Sequence, residues 1–262
     1  MTDNMLASAI ADVHPDRIVV RGEDLCRDLI GRIGFTEYFL LLLTGERPSA
    51  KLLAAADACL VAIAEHGFVP SIQAARMTLA GAPEAMQGAV AAGLLGAGAV
   101  VLGSAEAAGR LLADVAAESA RRGDLAAAAQ EAVARLRAAR APLPGFGHPT
   151  HKAGDPRAAR LLAVADELGV SGVHVAALRA VEAAVEPAYG RRLPTNVSAA
   201  IPALLLDAGY PVAALKGIPL LARCASLIAH LHEEAERKLG FRLADIAEHA
   251  VGYDGRPEAV PA

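Results

Sequence analysis

A short segment between Gly145 and Arg157 concentrates the side chains of this sequence that are best suited to acid–base chemistry and anion binding. His148 and His151 supply imidazoles, whose charge changes near neutral pH, and Lys152 and Arg157 supply cations for a carboxylate or a phosphate. Glycines beside His148 let the backbone approach a ligand closely. The residue types therefore favour a site in which an imidazole acts beside a bound anion. The alternative is a turn before a helix, with His148 as its cap and both cations in solvent.

Two other polar residues stand out because of their neighbours. His66 follows Glu65 at the end of a predicted helix and precedes Gly67, so it either contacts a ligand or interacts with the dipole at the helix C-terminus. Arg223 lies in an otherwise apolar helical segment, residues 220–225, where an unpaired buried charge would be costly. We therefore expect Arg223 to bind a carboxylate or an acidic partner.

The segment from Gly145 to Arg157 resembles the Gly-Phe-Gly-His…Asp-Pro-Arg signature of the citrate synthase and citryl-CoA lyase superfamily. Other segments are similar to elements of that family in the same order: residues 21–25 to an Arg-Gly-Tyr-Asp turn, 35–48 to a helix ending in Leu-Leu-Thr-Gly-Glu-x-Pro, 65–71 to Asp-His-Gly…Ser, 196–198 to Asn-Val-Asp, and 223–230 to an Arg…Ala/Gly-His helix. The resemblance extends from about residue 17 to residue 256.

This resemblance implies an all-α, citrate synthase-like fold in which a large helical domain is interrupted by a small helical domain. We expect residues 1–104 and 201–262 to form the large domain and residues 105–200 the small domain. In this family the active site lies in the cleft between the domains and uses both subunits of a dimer, which predicts a homodimer or a higher homo-oligomer. The composition agrees with a helical protein, because alanine, leucine and valine dominate and aromatic residues make up only 3%.

The resemblance also implies a reaction. A citryl-CoA lyase-like enzyme would cleave citryl-CoA, or a related 3-hydroxy-3-carboxyacyl-CoA, to acetyl-CoA and oxaloacetate or a related 2-oxo acid. Such a carbon–carbon cleavage needs a base for the tertiary hydroxyl, stabilisation of the enolate of acetyl-CoA and cations for the carboxylates. In the reverse direction the same chemistry is an acyl transfer, so the resemblance covers lyase and acyltransferase activities.

The family's functional residues transfer to matching positions of this sequence. By resemblance, His148 is the acid–base residue at the reacting oxygen, and His66 is a second catalytic histidine. The remaining positions implied by the resemblance contact the substrate: Arg157 and Arg223 bind its carboxylates, Asn196 and Ser198 lie against it, and Gly145, Phe146, Gly147 and Lys152 line the path of CoA.

Two departures from the family pattern bear on the reaction. Synthases carry a histidine in a Leu-His-Gly-Gly-Ala element, where residues 101–105 place an apolar side chain. The lyase modules of the family also lack this histidine, so its loss favours cleavage. The second departure is Ser198, which stands where the family has the aspartate of Asn-Val-Asp.

A serine hydroxyl is not a general base at neutral pH without an activating partner. Three interpretations follow. Another group or water moves the proton, with His66 or His148 in a double role; or the acyl substrate differs; or the protein is a catalytically silent paralogue. Such a paralogue would bind CoA esters or tricarboxylates as a regulatory or scaffolding subunit.

Composition excludes several other classes of partner. The net charge of −4 and the pI near 6.1 give no basic field for nucleic acid. Three widely spaced cysteines form neither a disulfide framework nor a zinc site and are predicted to be buried thiols; we expect no metal and no cofactor other than CoA as part of the substrate. The N-terminal apolar stretch is broken by Asp12 and Asp16, which predicts a cytoplasmic protein. The uncharged residues 88–103 are rich in alanine and glycine and predict a helix that is buried in the core or at a subunit interface, with no membrane partner.

Apolar periodicity and Gly/Pro signals predict a chain of helices that positions these residues. The predicted helices cover residues 24–31, 35–43, 49–66, 71–80, 83–101, 104–121, 124–140, 155–168, 171–187, 195–208, 211–216 and 219–238. The one strand signal is Ile18 to Val20, which we expect to pair locally before a turn at Arg21-Gly22.

Overall fold

The structure, a computed structural model, describes residues 7–98, 102–147 and 151–255. Near the N-terminus three short antiparallel strands form a sheet in the order β1 (Ala11–Val13), β2 (Ile18–Val20) and β3 (Glu23–Asp24). Ala11 pairs with Val20, and Val19 pairs with Asp24. The predicted strand at residues 18–20 is confirmed. A single π-helical turn, Leu25–Leu29, replaces the helix predicted at residues 24–31.

The rest of the described chain is helical, and the all-α prediction is confirmed. The helices are α1 (Phe35–Thr44), α2 (Ala50–Ala64), α3 (Pro70–Gly81), α4 (Met86–Leu95), α5 (Gly103–Arg122), α6 (Leu125–Ala138), α7 (Pro156–Glu167), α8 (Val173–Tyr189), α9 (Val197–Asp207), α10 (Gly217–Arg237) and α11 (Leu239–Ala250). A 3₁₀ turn, Val212–Ala214, stands where a helix was predicted at residues 211–216.

Several helix ends carry the residues that set them. α1 ends at Gly45, which adopts the left-handed conformation with φ +84°, and α3 and α7 begin with a proline at the first helical position. Asp124 caps α6 by accepting a hydrogen bond from the Ala127 amide. These local signals explain why most predicted helix bounds agree with the structure to within a few residues.

Two features differ from what the sequence predicts. The helix predicted at residues 83–101 ends at Leu95, which is 83% exposed, and only Ala89 and Gly93 of α4 are buried; residues 99–101 lie outside the described residues. α4 is therefore half-exposed in the single chain and is not a core helix, and its burial at a subunit interface stays a prediction. Among the cysteines, only Cys59 is buried and Cys26 is exposed; burial raises the pKa of the Cys59 thiol.

The chain divides into two compact units. Unit 1 comprises Met1–Ala62 and Ser104–Ile218, and unit 2 comprises Ile63–Gly103 and Pro219–Ala262. In unit 1, α6 packs against α8, α8 against α9 and α9 against α7, so that nine of the eleven residues of α9 are buried. In unit 2, α3 packs against α4 and α11. The division predicted from sequence, at residues 104 and 200, stays a prediction.

One described span, Val212–Arg237, is long and apolar enough to cross a membrane by length and composition alone. It includes α10, whose buried residues include the charged side chains Arg223 and Glu234. Glu234 forms an ion pair with the fully buried Arg76 of α3. α10 thus builds the interior of unit 2, whose apolar part is formed by Ile72, Ala75, Leu79, Ala89, Leu227 and Leu231.

The packing of α4 in unit 2 requires a glycine at position 93. A Cβ there would lie 2.4 Å from a methyl carbon of Leu227 and 3.0 Å from the carbonyl oxygen of Ser71. We expect Gly93→Ala to lower the free energy of unfolding by about 1–3 kcal/mol, because the backbone of Ser71 cannot move away easily. Urea titration followed by circular dichroism measures this change.

Gly88→Ala is the matched control, because Gly88 lies in the same helix and its nearest neighbour would be the Cβ of Ala85 at 3.6 Å. We expect this variant to gain about 0.5–1 kcal/mol from the helix propensity of alanine. Equal free energies of unfolding for the two variants would contradict the close packing of Gly93.

Candidate active site

The loop that was predicted to line CoA is tied to the start of α9 within unit 1. Phe146 pairs with Thr195 in an isolated antiparallel bridge. The Gly147 amide donates to the carbonyl of Pro194 at 2.8 Å, and the side chain of Asn196 donates to the carbonyl of Gly147 at 2.6 Å. The segment just before His148 is therefore fixed to α9 by backbone and side-chain hydrogen bonds.

Gly145 and Gly147 adopt conformations that other residues rarely adopt. Their φ angles are +85° and +77°. A Cβ on Gly145 would lie 2.4 Å from the Cβ of Ala199, and its carbonyl accepts a hydrogen bond from the Asn196 amide at 2.9 Å. The two glycines thus allow a tight approach of this loop to α9.

Asn196 is the N-cap of α9. Its side-chain oxygen accepts a hydrogen bond from the Ser198 amide at 2.9 Å while its nitrogen bonds to Gly147. Ser198 lies in the first turn of α9 and is partly buried. The structure brings both predicted substrate contacts together with the loop of Gly145 to Gly147. His148, predicted to be the central acid–base residue, lies outside the described residues.

Asp155 joins the first turns of α7 and α9. One carboxylate oxygen accepts from the backbone amide and the Nε of Arg157, each at 3.0 Å. The other accepts from Nη2 of Arg157 at 2.9 Å and from the Val197 amide at 3.0 Å. The side chain of Asp155 is completely buried. Sequence reasoning assigned no role to this residue, although aspartate before Pro-Arg at a helix start is typical of an N-cap.

The electrostatics of this junction favour a charged carboxylate. Burial alone would raise the pKa of Asp155, but the hydrogen bonds from Arg157 and Val197 and the charge of the guanidinium outweigh it and hold the pKa below its usual range. Arg157 was predicted to bind a substrate carboxylate. In this structure two of its guanidinium nitrogens are held by Asp155, and its side chain is about one fifth exposed.

Two further features lie near Arg157 in unit 1. Lys152, predicted to contact CoA, is exposed in the loop before Asp155. An open trough of about 570 Å³ runs between α2 and α7 beside Arg157. It is lined by Asp57, Ala58, Val61, Ala62, Pro156, Arg157, Arg160, Leu161 and Val164.

In unit 2, His66 lies in the turn that follows α2. Glu65 stabilises this turn by accepting hydrogen bonds from the backbone amides of His66, at 2.9 Å, and Gly67. Gly67 has a φ of +71°, so the turn needs a glycine at that position. We call residues 65–67 the His66 turn.

The other oxygen of Glu65 bonds to α10. It accepts from the hydroxyl of Ser226 at 2.5 Å and contacts Nε2 of His230 at 3.0 Å. Arg223, predicted to bind a carboxylate, is 2% exposed and lies three residues before Ser226 on the same helix. Residues three apart are neighbours on one helix face. The bond from Glu65 to Ser226 therefore brings the His66 turn to within one helical turn of Arg223.

Arg76 lies at the centre of the polar network in unit 2, and its side chain is completely buried. Its Nη1 donates to Glu234 at 3.0 Å, its Nη2 pairs with Glu233, and its Nε and Nη2 approach Nδ1 of His230 at 3.2 and 2.8 Å. The guanidinium also lies over the ring of Phe68, 5.0 Å from its centre.

Two carboxylates of this network are held in the charged form. At Glu65 burial would raise the pKa, but the hydrogen bonds from Ser226 and Gly67 and the contact with His230 lower it below the usual value. The hydrogen bond from Arg76 lowers the pKa of Glu233 in the same way. Among the residues that the structure describes, no group of three or more His, Cys, Asp or Glu side chains is arranged to hold a metal ion.

No role was predicted for Arg76, although one signal for it is present in the sequence. Ile72, Ala75 and Leu79 recur at helical spacing and form the buried face of α3. Arg76 falls on the same face, and an arginine in that position needs acidic partners. An arginine within the apolar stripe of a helix thus indicates a buried ion pair, whose partners the sequence does not reveal.

The family of the chain is identified by a match that covers most of its sequence. The family model for "Citrate synthase, C-terminal domain" matches residues 9–243. The chain therefore belongs to the citrate synthase family, as the resemblance of its motifs predicted. A search of curated protein sequences found no match to the chain.

Several solved structures share this fold. Citryl-CoA lyase from Hydrogenobacter thermophilus superposes with a TM-score of 0.85 at 29% identity, over 99% of this chain and 98% of that one. ATP citrate lyase from Methanothrix soehngenii, solved in complex with citrate and coenzyme A, has a TM-score of 0.76 at 21% identity, over 98% of this chain and 43% of that one. Citrate synthase from Thermoplasma acidophilum has a TM-score of 0.65 at 19% identity, over 87% of this chain and 59% of that one.

Proposed function

We propose that the protein is a citryl-CoA lyase-like enzyme that cleaves citryl-CoA, or a related 3-hydroxy-3-carboxyacyl-CoA, to acetyl-CoA and oxaloacetate or a related 2-oxo acid. The observation that carries this proposal is the match to a citryl-CoA lyase over almost the full length of both chains. The hydrogen bond from Ser226 to Glu65, which ties the His66 turn to the helix that carries the buried Arg223, supports it. An imidazole and a guanidinium in one site would suit a substrate that carries both a hydroxyl and carboxylates.

The proposed reaction breaks one carbon–carbon bond. His148 takes the proton from the tertiary hydroxyl, and the electrons of the O–H bond form the keto group of oxaloacetate. The electrons of the broken bond pass to the acetyl carbon and form the enolate of acetyl-CoA, which is then protonated. His66 and Arg223 orient the hydroxyl and a carboxylate of the substrate, and a planar guanidinium is well shaped to hold a carboxylate through two hydrogen bonds.

The groups of unit 1 have proposed roles in binding. The loop of Gly145, Phe146 and Gly147 offers closely approachable backbone to CoA, and Lys152 offers an exposed cation for its phosphates. Arg157 adds positive charge for a carboxylate while Asp155 holds two of its nitrogens. Asn196 mainly orders the loop, because both ends of its amide already bond to protein groups.

Protonation of the enolate has no obvious agent among the residues proposed for the site. Ser198 occupies the position at which the resembling proteins carry an aspartate, and it is a poor acid or base. We propose that water or one of the two histidines moves this proton. The reaction needs no metal and no cofactor beyond the CoA of the substrate, and we propose a homodimeric, cytoplasmic enzyme with no nucleic acid or membrane partner.

The test is direct. Purified protein is mixed with citryl-CoA, and the release of oxaloacetate is followed through malate dehydrogenase and the oxidation of NADH, with His148→Ala as the control. Release by the unmodified protein alone supports the lyase and the role of His148. Release at the same rate by His148→Ala would contradict that role. If folded protein binds citryl-CoA without cleaving it, the proposed lyase function is wrong.

A catalytically silent paralogue, the alternative suggested by Ser198, is not favoured by the near full-length similarity to a lyase.

A further inference from the structure

We infer that Glu65 is a positioning residue, which holds the His66 turn beside Arg223 through Ser226 and His230 of α10. We further infer that Arg76 sets the tautomer of His230 that this bond requires. The inference rests on the proposed function in so far as His66 and Arg223 act on the substrate. All the residues concerned belong to unit 2.

Both oxygens of the Glu65 carboxylate form hydrogen bonds, and together they link the His66 turn to α10. One oxygen accepts from the two amides of the His66 turn, and the other meets Ser226 and His230 on α10. An ionised carboxylate accepts several hydrogen bonds and donates none. Glu65 therefore links the backbone of the turn to one face of α10.

The tautomer of His230 follows from its neighbours. A guanidinium can only donate hydrogen bonds, so the Nδ1 that faces Arg76 must accept and carries no proton. The proton of the neutral ring then sits on Nε2, which is the atom that faces Glu65. Arg76 cannot turn away, because Glu233, Glu234 and the ring of Phe68 hold its guanidinium.

The positions of Ser226 and His230 on α10 relate the contacts of Glu65 to Arg223. Ser226 and His230 follow Arg223 by three and seven residues, so all three lie on one face of the helix. One turn of helix advances by about 5 Å. Glu65 thus attaches the His66 turn to the face of α10 that carries Arg223.

A purely structural role would produce a different result on mutation. The side chain of Glu65 is 52% exposed, and hydrogen-bonded ion pairs of exposed carboxylates contribute little to stability. A misplacement of a catalytic group by about 1 Å, by contrast, lowers the rate about 10²-fold. Loss of Glu65 should therefore affect kcat far more than the melting temperature.

The experiment compares Glu65→Gln, His230→Leu and His230→Gln in the full-length protein. In Glu65→Gln the amide NH2 group faces the Nε2–H of His230, so two donors meet and the hydrogen bond is lost. We therefore expect kcat for citryl-CoA cleavage to fall about 10–100-fold. His230→Leu should show a similar fall in kcat. His230→Gln should keep most of the activity, because its amide accepts from Arg76 and donates to Glu65. His232→Gln, at an 80% exposed position of α10, is the matched control.

A second readout does not depend on turnover. In ¹⁵N-edited NMR spectra we expect the His230 ring to carry its proton on Nε2, and the ring resonances of His66 to shift in Glu65→Gln but not in His232→Gln. If the unmodified protein does not cleave citryl-CoA, the proposed function fails while these spectra still test the positioning. Protonation of His230 on Nδ1, or unchanged His66 resonances and kcat in Glu65→Gln, would overturn the inference.

Discussion

Asp155→Ala is expected to destabilise the folded protein by about 3 kcal/mol, at the low end of the range for breaking a buried ion pair from one side. The substitution removes the acceptor of four hydrogen bonds and leaves the Arg157 guanidinium and the Val197 amide without their partner. The low end applies because the side chain of Arg157 is partly exposed and regains some water. Urea denaturation followed by circular dichroism measures the loss.

Asp124→Ala provides a matched control, because Asp124 is also an aspartate at a helix start but accepts a single exposed hydrogen bond. Its loss should cost about 1 kcal/mol, the usual value for an N-cap. If both variants lost the same stability, Asp155 would be no more than a cap of α7, and its bond to Val197 would contribute nothing.

The difference in stability between the unmodified protein and Asp155→Ala should depend on pH, because Asp155 is a titratable carboxylate. The pKa of Asp155 is lower in the folded protein than its ordinary value, so its stabilising effect is complete at neutral pH and disappears as the pH falls through the folded-state pKa. We therefore expect the stabilities of the unmodified protein and Asp155→Ala to converge in acid. A constant difference between pH 7 and pH 2 would contradict the charged state of Asp155.

Ser198→Asp is expected to raise kcat for citryl-CoA cleavage by about 10²-fold, the lower value for a well-placed acid–base group. Position 198 lies in the first turn of α9, where the positive end of the helix dipole stabilises a carboxylate. The new side chain can move a proton that the hydroxyl cannot. Steady-state kinetics with citryl-CoA measure the change, and KM should change much less than kcat.

Ser198→Asn is the control that distinguishes an effect of proton transfer on kcat from an effect of side-chain size. Asparagine has the size of aspartate but no charge and no useful pKa, so we expect no gain in kcat from it. An equal gain in both variants would mean that position 198 acts through packing. No gain in Ser198→Asp would mean that the missing carboxylate does not limit the rate and that another group already moves the proton.

Local signals predicted most of the helices but not those that depend on unusual backbone. α11, Leu239–Ala250, was missed because it follows α10 without a glycine or a proline between them. The break is made by Lys238, a residue that adopts φ +50° although it is not glycine. β1 was missed because all three of its residues are exposed and carry no alternating pattern. β1 pairs with β2 across residues 14–17, and α11 packs against α3, and the pattern within each element does not contain these contacts.

The candidate site shows the same limit. The motifs located the loop of Gly145 to Gly147, the start of α9, His66 and Arg223 in sequence. The structure ties the loop to the start of α9 in unit 1, and the His66 turn to the helix of Arg223 in unit 2. The partners that hold them were not predictable, because Asp155 reaches a residue 42 positions away and Arg76 reaches one 158 positions away. Such pairings follow from the packing of helices and leave no mark at either position alone.

Unit 1 is built from two separate stretches of the chain, and this determines when α2 can contact its partners during synthesis. Lys51 bonds to the carbonyl of Gly169, and the thiol of Cys59 lies 3.9 Å from the carbonyl of Ile201. At ribosomal rates of about 5–20 residues per second, residue 201 follows residue 59 by roughly 7–30 s. During that interval the apolar face of α2 lacks its native cover. Nascent chains that stop before residue 201 should therefore be the form of this protein that most needs a chaperone.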